Sequence, residues 1–410
     1  MAQDKVPQPV LNEIYSSFFD VLSHRRTRRI SPGLPVPGLF KYETNKPPEP
    51  LSKAEVALLC YAAAGHTGII SYDLASSLAL TTFHGRSFPS PANSQRTQLL
   101  FTNDEGVFLY RPKPSKKVFA VDKPEDLQTI IDNFDNDVVK LQSGRLVLPP
   151  GAFSKSNSER CNVPGQTLFM PIMDTSDELL NALIMAIKEG QLFVTDDGKP
   201  AGVDKYIDKL NLKLKSPLSM FEQYISAWIS QETGLITQNL LLAAESMGLG
   251  GFPFSAFTSL IIMGGTPAAK GLGFRFVMSK NGRLNPVGID GLFEGYSMPY
   301  WKDFTSIVKH HVNRRYAEDG AYNAQTASTL LDQQALAKFA PQISDDVIDC
   351  ASDLCTFIYK TYGKFPATID TMMMPIMVGV HHVDLDFYGR FHKPELTTAR
   401  LKNHMAQWHK

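Results

Sequence analysis

The 410-residue chain has only four cysteines, Cys60, Cys161, Cys350 and Cys355, and no two of them stand as Cys-x-x-Cys. That argues against a disulfide framework or a structural zinc site and fits a reducing compartment. Charge of one sign is not in excess, because Lys+Arg and Asp+Glu each number 41. No global field therefore draws nucleic acid or anionic lipid, and neither is expected as a partner. No apolar run reaches the ~20 residues that a membrane-spanning helix needs. The N-terminus, Met-Ala-Gln-Asp-Lys-Val-Pro, lacks the apolar core of a signal peptide, so a cytoplasmic location is expected. Internal repeats are absent as well. What remains is an ordinary globular composition, 43% apolar and 20% charged, long enough for one large domain with additions or for two.

The most informative stretch runs from Gly234 to Phe257. Leu235, Ile236, Leu240, Ala243, Ala244 and Met247 recur at helical spacing. Good helix formers surround them and no proline interrupts. Gly248 and Gly250 end the helix, since glycine takes the left-handed conformation that helix C-termini often need. The following Gly251-Phe252-Pro253-Phe254-Ser255 reads as a short loop whose small residues let a flat group approach the main chain. A buried helix followed by a plain turn is the bland reading of the same residues.

Nearer the start, Val10 to Ser23 is an amphipathic helix running into His24-Arg25-Arg26-Thr27-Arg28-Arg29. Forked guanidinium groups and one hydroxyl suit a phosphate monoester. A solvated basic turn or a nuclear-localisation-like run is the alternative. Leu51-Ser52-Lys53-Ala54-Glu55 opens a second helix, with Ser52 and Glu55 as a capping box. His66 then reads as a loop residue. Phe88 to Gln95 is a Pro-bounded polar loop whose Ser90, Asn93 and Gln95 can bond the edge of a heterocycle or merely form a turn. Thr97–Thr102 and Gly106–Tyr110 form a hairpin.

Residues 112–225 read as an insertion that shapes or covers a site, or as a structural appendage. Within it, Pro124–Phe134 is helical, Gln166–Met173 a strand, and Ser176–Glu189 a helix capped by Ser176. Thr258–Met263 is expected as a strand, and Asp290 and Glu294 as turn residues. Ser344 and Gly363 bound a helix in a C-terminal extension, residues 344–410. That extension holds His381, His382, Asp384, His392, His404 and His409. Imidazole and carboxylate are common metal ligands, but the spacing fits no zinc motif and His-Glu-x-x-His is absent, so no metal is expected.

Three of these segments, in this order, resemble the FMN-dependent nitroreductase family. Arg25, Arg26, Thr27 and Arg29 match its arginine motif, with Thr27 where Ser is usual. Ser90, Asn93 and Gln95 match its Pro-Ser-x-x-Asn-x-Gln loop, although Arg96-Thr97 stand where Pro-Trp is usual. Gln238 to Gly250 and Pro253-Phe254-Ser255 match its central helix and stacking segment, with Ser255-Ala256 in place of Glu-Gly.

The resemblance implies an α+β fold with a central, mostly antiparallel sheet flanked by helices, in an intertwined homodimer. The family core would comprise 1–111 with 226–343. FMN would sit at the dimer interface, its phosphate on Arg25, Arg26, Thr27 and Arg29. Its ring would lie along Pro253, Phe254 and Ser255, with the partner subunit's polar loop nearby and Arg275 as a late basic residue near the phosphate. The implied activity is NAD(P)H-dependent reduction of a nitro-aromatic, quinone-like or other small acceptor through flavin N5, with no obligatory catalytic side chain. Alternatives are an oxidase or dehydrogenase of a peptide-derived or other small substrate, or a flavin-binding protein without turnover whose flavin face is plugged by Phe252 or Phe254. A metal enzyme built on the C-terminal histidines is the weakest alternative.

Overall fold

The computed structural model describes residues 18–70, 83–91, 94–113, 120–323, 331–332 and 342–409. Most of the helix expected over Val10–Ser23 therefore lies outside the described residues, as does Asn93. The strands in chain order are β1 (His66–Ile70), β2 (Phe83–Arg86), β3 (Thr97–Asn103), β4 (Gly106–Tyr110), β5 (Val138–Ser143), β6 (Thr167–Asp174) and β7 (Gln191–Val194). They continue with β8 (Leu214–Pro217), β9 (Gly250–Phe254), β10 (Arg275–Met278), β11 (Leu284–Ile289), β12 (Phe293–Glu294), β13 (Met372–Met373) and β14 (Met377–His381). The helices are α1 (Phe18–His24), α2 (Lys53–Ala64), α3 (Leu127–Asp137), α4 (Lys155–Ser158), α5 (Thr175–Lys188) and α6 (Leu218–Ser246). After them come α7 (Ser259–Met263), α8 (Phe304–Asn313), α9 (Asp345–Tyr362), α10 (Leu385–Phe391) and α11 (Ala399–Trp408).

The central sheet has the order β5-β4-β3-β6-β14-β9, with β13 also on β6, and every pairing in it is antiparallel. Alternation along its strands divides the core in two. Leu99, Phe101 and Phe169 face α2 and α6, whereas Leu100, Leu168, Met170 and Ile172 face the opposite cluster with Ile262 and Met374. Because both faces are covered, β6 is buried along its whole length. The molecule is thus a mixed α+β structure, an antiparallel sheet flanked by helices.

Helix α6 is the longest element at 29 residues, and it begins 16 residues before Gly234. Pro217 stands just ahead of it and nothing inside breaks it. Its first half buries Phe221, Ile225 and Ile229 among α5, α8 and α9. Its second half buries Ile236, Leu240, Leu241, Ala244 and Met247 against α2 and the sheet. Gly248 ends the run at φ +77°, where a Cβ would lie 2.7 Å from the Arg400 carbonyl.

Several expectations hold in the structure. Ser52 and Glu55 form the capping box of α2, β3 and β4 form the hairpin, and Ser344 and Gly363 bound α9. Other expectations need correcting. His66 opens a strand. The cap of α5 is Asp174, whose carboxylate accepts from Asp177 N–H, while Ser176 lies inside the helix. Thr258–Met263 is not a strand: Thr258 precedes the helical turn α7 (Ser259–Met263), which Gly264 closes in the left-handed region. A helical turn lets Ile262 and Met263 bury together while Leu260 stays exposed.

Gly251 to Phe254 is not a loop but most of β9, and Pro253 is tolerated there because β9 is an edge strand. Residues 112–225 supply β5 and the central β6, and the boundary drawn at 225 falls inside α6. Beyond residue 344 the chain is not only helical, since it provides β13 and β14.

Candidate functional site

The arginine segment leaves α1 and runs beside β9. Arg28 is its buried member: Nη1 meets Glu245 Oε2 at 2.6 Å, and Nε and Nη2 donate to the Leu396 carbonyl at 2.9 and 2.7 Å. This anchors the segment to α6. Arg25 is half-buried, whereas Arg26, Thr27 and Arg29 are exposed. Arg29 lies over the Phe252 ring at 5.7 Å, within reach of a cation–π contact. Arg26 Nη1 donates to the carbonyls of Ser23 and Arg25. Among the described residues, the guanidinium groups of Arg25, Arg26 and Arg29 have no carboxylate partner. The segment passes close to β9 at Gly250: a Cβ there would lie 3.3 Å from the Arg28 carbonyl, and 2.9 Å from both His381 Cε1 and Val383 Cγ2.

Two of the three expected segments are therefore neighbours. Pro253 pairs with Val378 across the sheet, and Phe254 packs on Phe252, Phe153 and Phe257. Ser255, exposed one residue beyond β9, lines a cavity of about 860 Å³ with Leu260, Met263, Met278, Met372 and Met374.

The third segment is tied to α6 at a different point. Ser90 Oγ accepts from Ser94 N–H at 3.2 Å. Glu232 of α6 then collects Ser94 Oγ, the N–H groups of Arg96 and Thr97, and Thr97 Oγ1, at 2.8–3.2 Å. Gln95 is held at φ +48° and lines a second cavity, of about 580 Å³. Arg275 sits on β10 in a separate three-stranded sheet, where it pairs with Asp290 and Glu294 and stacks on Tyr300 at 3.5 Å. Asp290 and Glu294 thus act as an acidic pair for that arginine.

The second cavity is polar and was not visible in the sequence. Asp177 is ringed by two cations, Arg314 at 2.7 Å to both oxygens and Arg96 at 3.1 Å, with the His311 imidazole, which burial holds well below its usual pKa, at 3.0 Å. Those cations overcome its burial and hold it well below the usual carboxylate range. Its neighbour Asp174 is pushed the other way, up to about 7, by burial and by the Asp177 charge. Glu178 is raised to about 8, chiefly by burial. His66 and His84 meet at 3.3 Å and are lowered to about 3 and about 4, burial again leading, so both are neutral at pH 7.

A protonated carboxyl beside a fixed carboxylate can donate and accept protons around neutral pH. The signal available in sequence was the one-turn spacing of Asp174 and Asp177 and of His311 and Arg315. Only the packing of α5 against α8 makes these two pairs one site.

No family model matches the sequence, and no curated protein matches it. Among solved structures, one named as a "putative nitroreductase" from Ralstonia eutropha jmp134 is similar over 59% of this chain and 71% of that chain. The identity is 10% and the TM-score 0.28. At that level the likeness says nothing of activity. No helix among the described residues is long and apolar enough to cross a membrane.

Proposed function

We propose that the chain is an FMN-dependent oxidoreductase that reduces a small organic acceptor with NAD(P)H and acts as a homodimer. The observation that carries the reading is the pairing of the arginine segment with β9. Arg29, which has no carboxylate partner among the described residues, rests over Phe252 of β9, and the segment that also carries Arg25 and Arg26 passes Gly250 at the Arg28 carbonyl. Such a cradle suits a dianionic phosphate joined to a flat, partly apolar ring.

Arg25, Arg26, Thr27 and Arg29 would hold the phosphate, and Pro253, Phe254 and Ser255 would flank the ring. Bound FMN would supply hydride transfer at N5. The chain's own contribution is to bind, orient and exclude water. Arg28, locked on Glu245 and Leu396, fixes the direction of the arginine segment. The methionine-lined cavity beside Ser255 favours an apolar acceptor. Ser90, Asn93 and Gln95 are assigned to the partner subunit's cofactor.

The test is the absorbance spectrum of the purified full chain, with any released flavin identified, before and after anaerobic NADPH. About one FMN per chain that bleaches, in a protein eluting as a dimer, is the expected result. FMN that stays oxidised with both NADPH and NADH moves the assignment to an oxidase, a dehydrogenase or a binding protein. A colourless chain that takes up no added FMN overturns the reading.

A further inference from the structure

We propose that Glu55, His382, His404 and His409 form a binding site for a divalent transition-metal ion, zinc by donor set and geometry, that staples the C-terminal helix to the core. The four residues come from separate places: the first turn of α2, the residue after β14, the middle of α11 and the residue after it. One donor atom from each lies within 4.8 Å of every other. From Glu55 Oε1, the Nε2 atoms of His404, His382 and His409 lie at 2.8, 3.0 and 3.5 Å. Ligands about 2.0–2.1 Å from a tetrahedral zinc stand about 3.3 Å apart, so these spacings need only small adjustment.

The hydrogen-bond accounting points the same way. A carbonyl can only accept, so His404 Nδ1, at 2.7 Å from the Met247 carbonyl, carries the hydrogen. Its Nε2, on the other side of the ring, faces the Glu55 carboxylate oxygen. Despite the 2.8 Å contact, Nε2 makes no hydrogen bond with Glu55, and His409 Nε2 makes none either. A ring N–H is fixed in the ring plane, and neither nitrogen meets the Glu55 oxygen with hydrogen-bond geometry although the four donor atoms lie within 4.8 Å of one another.

His404 is only 3% exposed, Glu55 and His382 are closed off as fully, and solvent does not reach that nitrogen. A cation at the centre satisfies every inward atom at once. The Met247 carbonyl then acts as the outer partner that metal-bound histidines usually have, fixing tautomer and ring orientation. Glu55 Oε2 is meanwhile held by Ser52 N–H at 2.5 Å, which leaves Oε1 for the metal.

Four protein donors in a closed, buried set leave no open position for substrate, so the role is structural. The scarcity of cysteine speaks only against thiolate sites and does not bear on this nitrogen and oxygen set. This site does not depend on the flavin reading.

The experiment is metal analysis of the full chain purified without chelator or affinity metal, followed by stripping and reloading with zinc or cobalt. The expected results are about one zinc per chain, the intense visible bands of four-coordinate cobalt after exchange, and a Tm that falls on stripping and recovers on reloading. His409→Ala, at the more exposed ligand, should fold by circular dichroism yet bind zinc at least tenfold more weakly. His404→Ala should abolish binding. A chain that purifies without metal and takes up neither ion overturns the proposal. So does zinc that survives undiminished in both variants.

Discussion

Arg28 Nη1 lies 2.6 Å from Glu245 Oε2, and neither side chain reaches solvent. Burial lifts the Glu245 carboxyl above the ordinary value even with the guanidinium against it. Removing one partner strands the other charge in the core. Arg28→Ala or Glu245→Ala is therefore expected to cost about 3–5 kcal/mol, read by urea denaturation. Arg28→Lys should recover only part of this, since one ammonium cannot span Glu245 and the Leu396 carbonyl in the same fork.

Glu232 should behave as a clamp on the loop before β3. Its carboxylate takes four hydrogen bonds from residues 94–97. In Glu232→Gln one end of the side chain becomes a donor facing donors. We expect a loss of about 2–3 kcal/mol and faster proteolytic cleavage around Ser90–Gln95. Limited proteolysis followed by mass spectrometry reads the second effect directly.

The polar cavity predicts a pH dependence of stability. Glu178 has its folded-state pKa raised from 4.5 to about 8, and Asp174 from 3.8 to about 7, with burial the leading cause in both. The folded state therefore holds protons that the unfolded state releases. This contribution is fully present below about pH 4 and is lost as pH rises toward 8. Glu178→Gln, which keeps the shape without the charge, should be more stable than the parent at pH 8.5 by up to about 4 kcal/mol and roughly equal at pH 4. Thermal melts across pH 4–9 test it. A parental curve unchanged by the substitution sinks the assignment.

Arg29 provides the cleanest test of the cofactor reading. It is exposed, has no carboxylate partner among the described residues and lies over Phe252. Arg29→Ala should leave the Tm of the flavin-free chain unchanged within about 0.5 kcal/mol of stability. FMN affinity should fall by about tenfold or more, as for loss of a charge-assisted phosphate contact. Fluorescence titration with FMN gives the ratio.

What the sequence disclosed was local. The Ser52–Glu55 capping box, the β3–β4 hairpin and the Ser344–Gly363 helix are each specified by residues within a few positions of one another. The arginine segment and Gly250–Phe254 could be named as partners only through a resemblance, and their contact through Arg29 and Phe252 spans over two hundred residues. Gly-Phe-Pro-Phe read as a loop because proline and glycine weaken a strand. Its edge position, which removes that penalty, is a property of the whole sheet. Glu55 and the three histidines around its Oε1 carry no spacing signature at all, because 327 positions separate Glu55 from His382.

The central strand order has a consequence for how the protein is made. Strand β6 pairs on one side with β3, about seventy residues earlier, and on the other with β14, more than two hundred residues later. A chain emerging from the ribosome can fold β3, β4, β5 and β6 together, yet the far edge of β6 then stays unpaired until residue 381 has been synthesised. At 5–20 residues per second, that interval lasts on the order of ten to forty seconds. Throughout it a strand that is buried along its whole length in the finished sheet offers an open ladder to any neighbouring chain. Synthesis of this protein should accordingly engage chaperones heavily, and chains cut short before β14 should aggregate even though they carry most of the core.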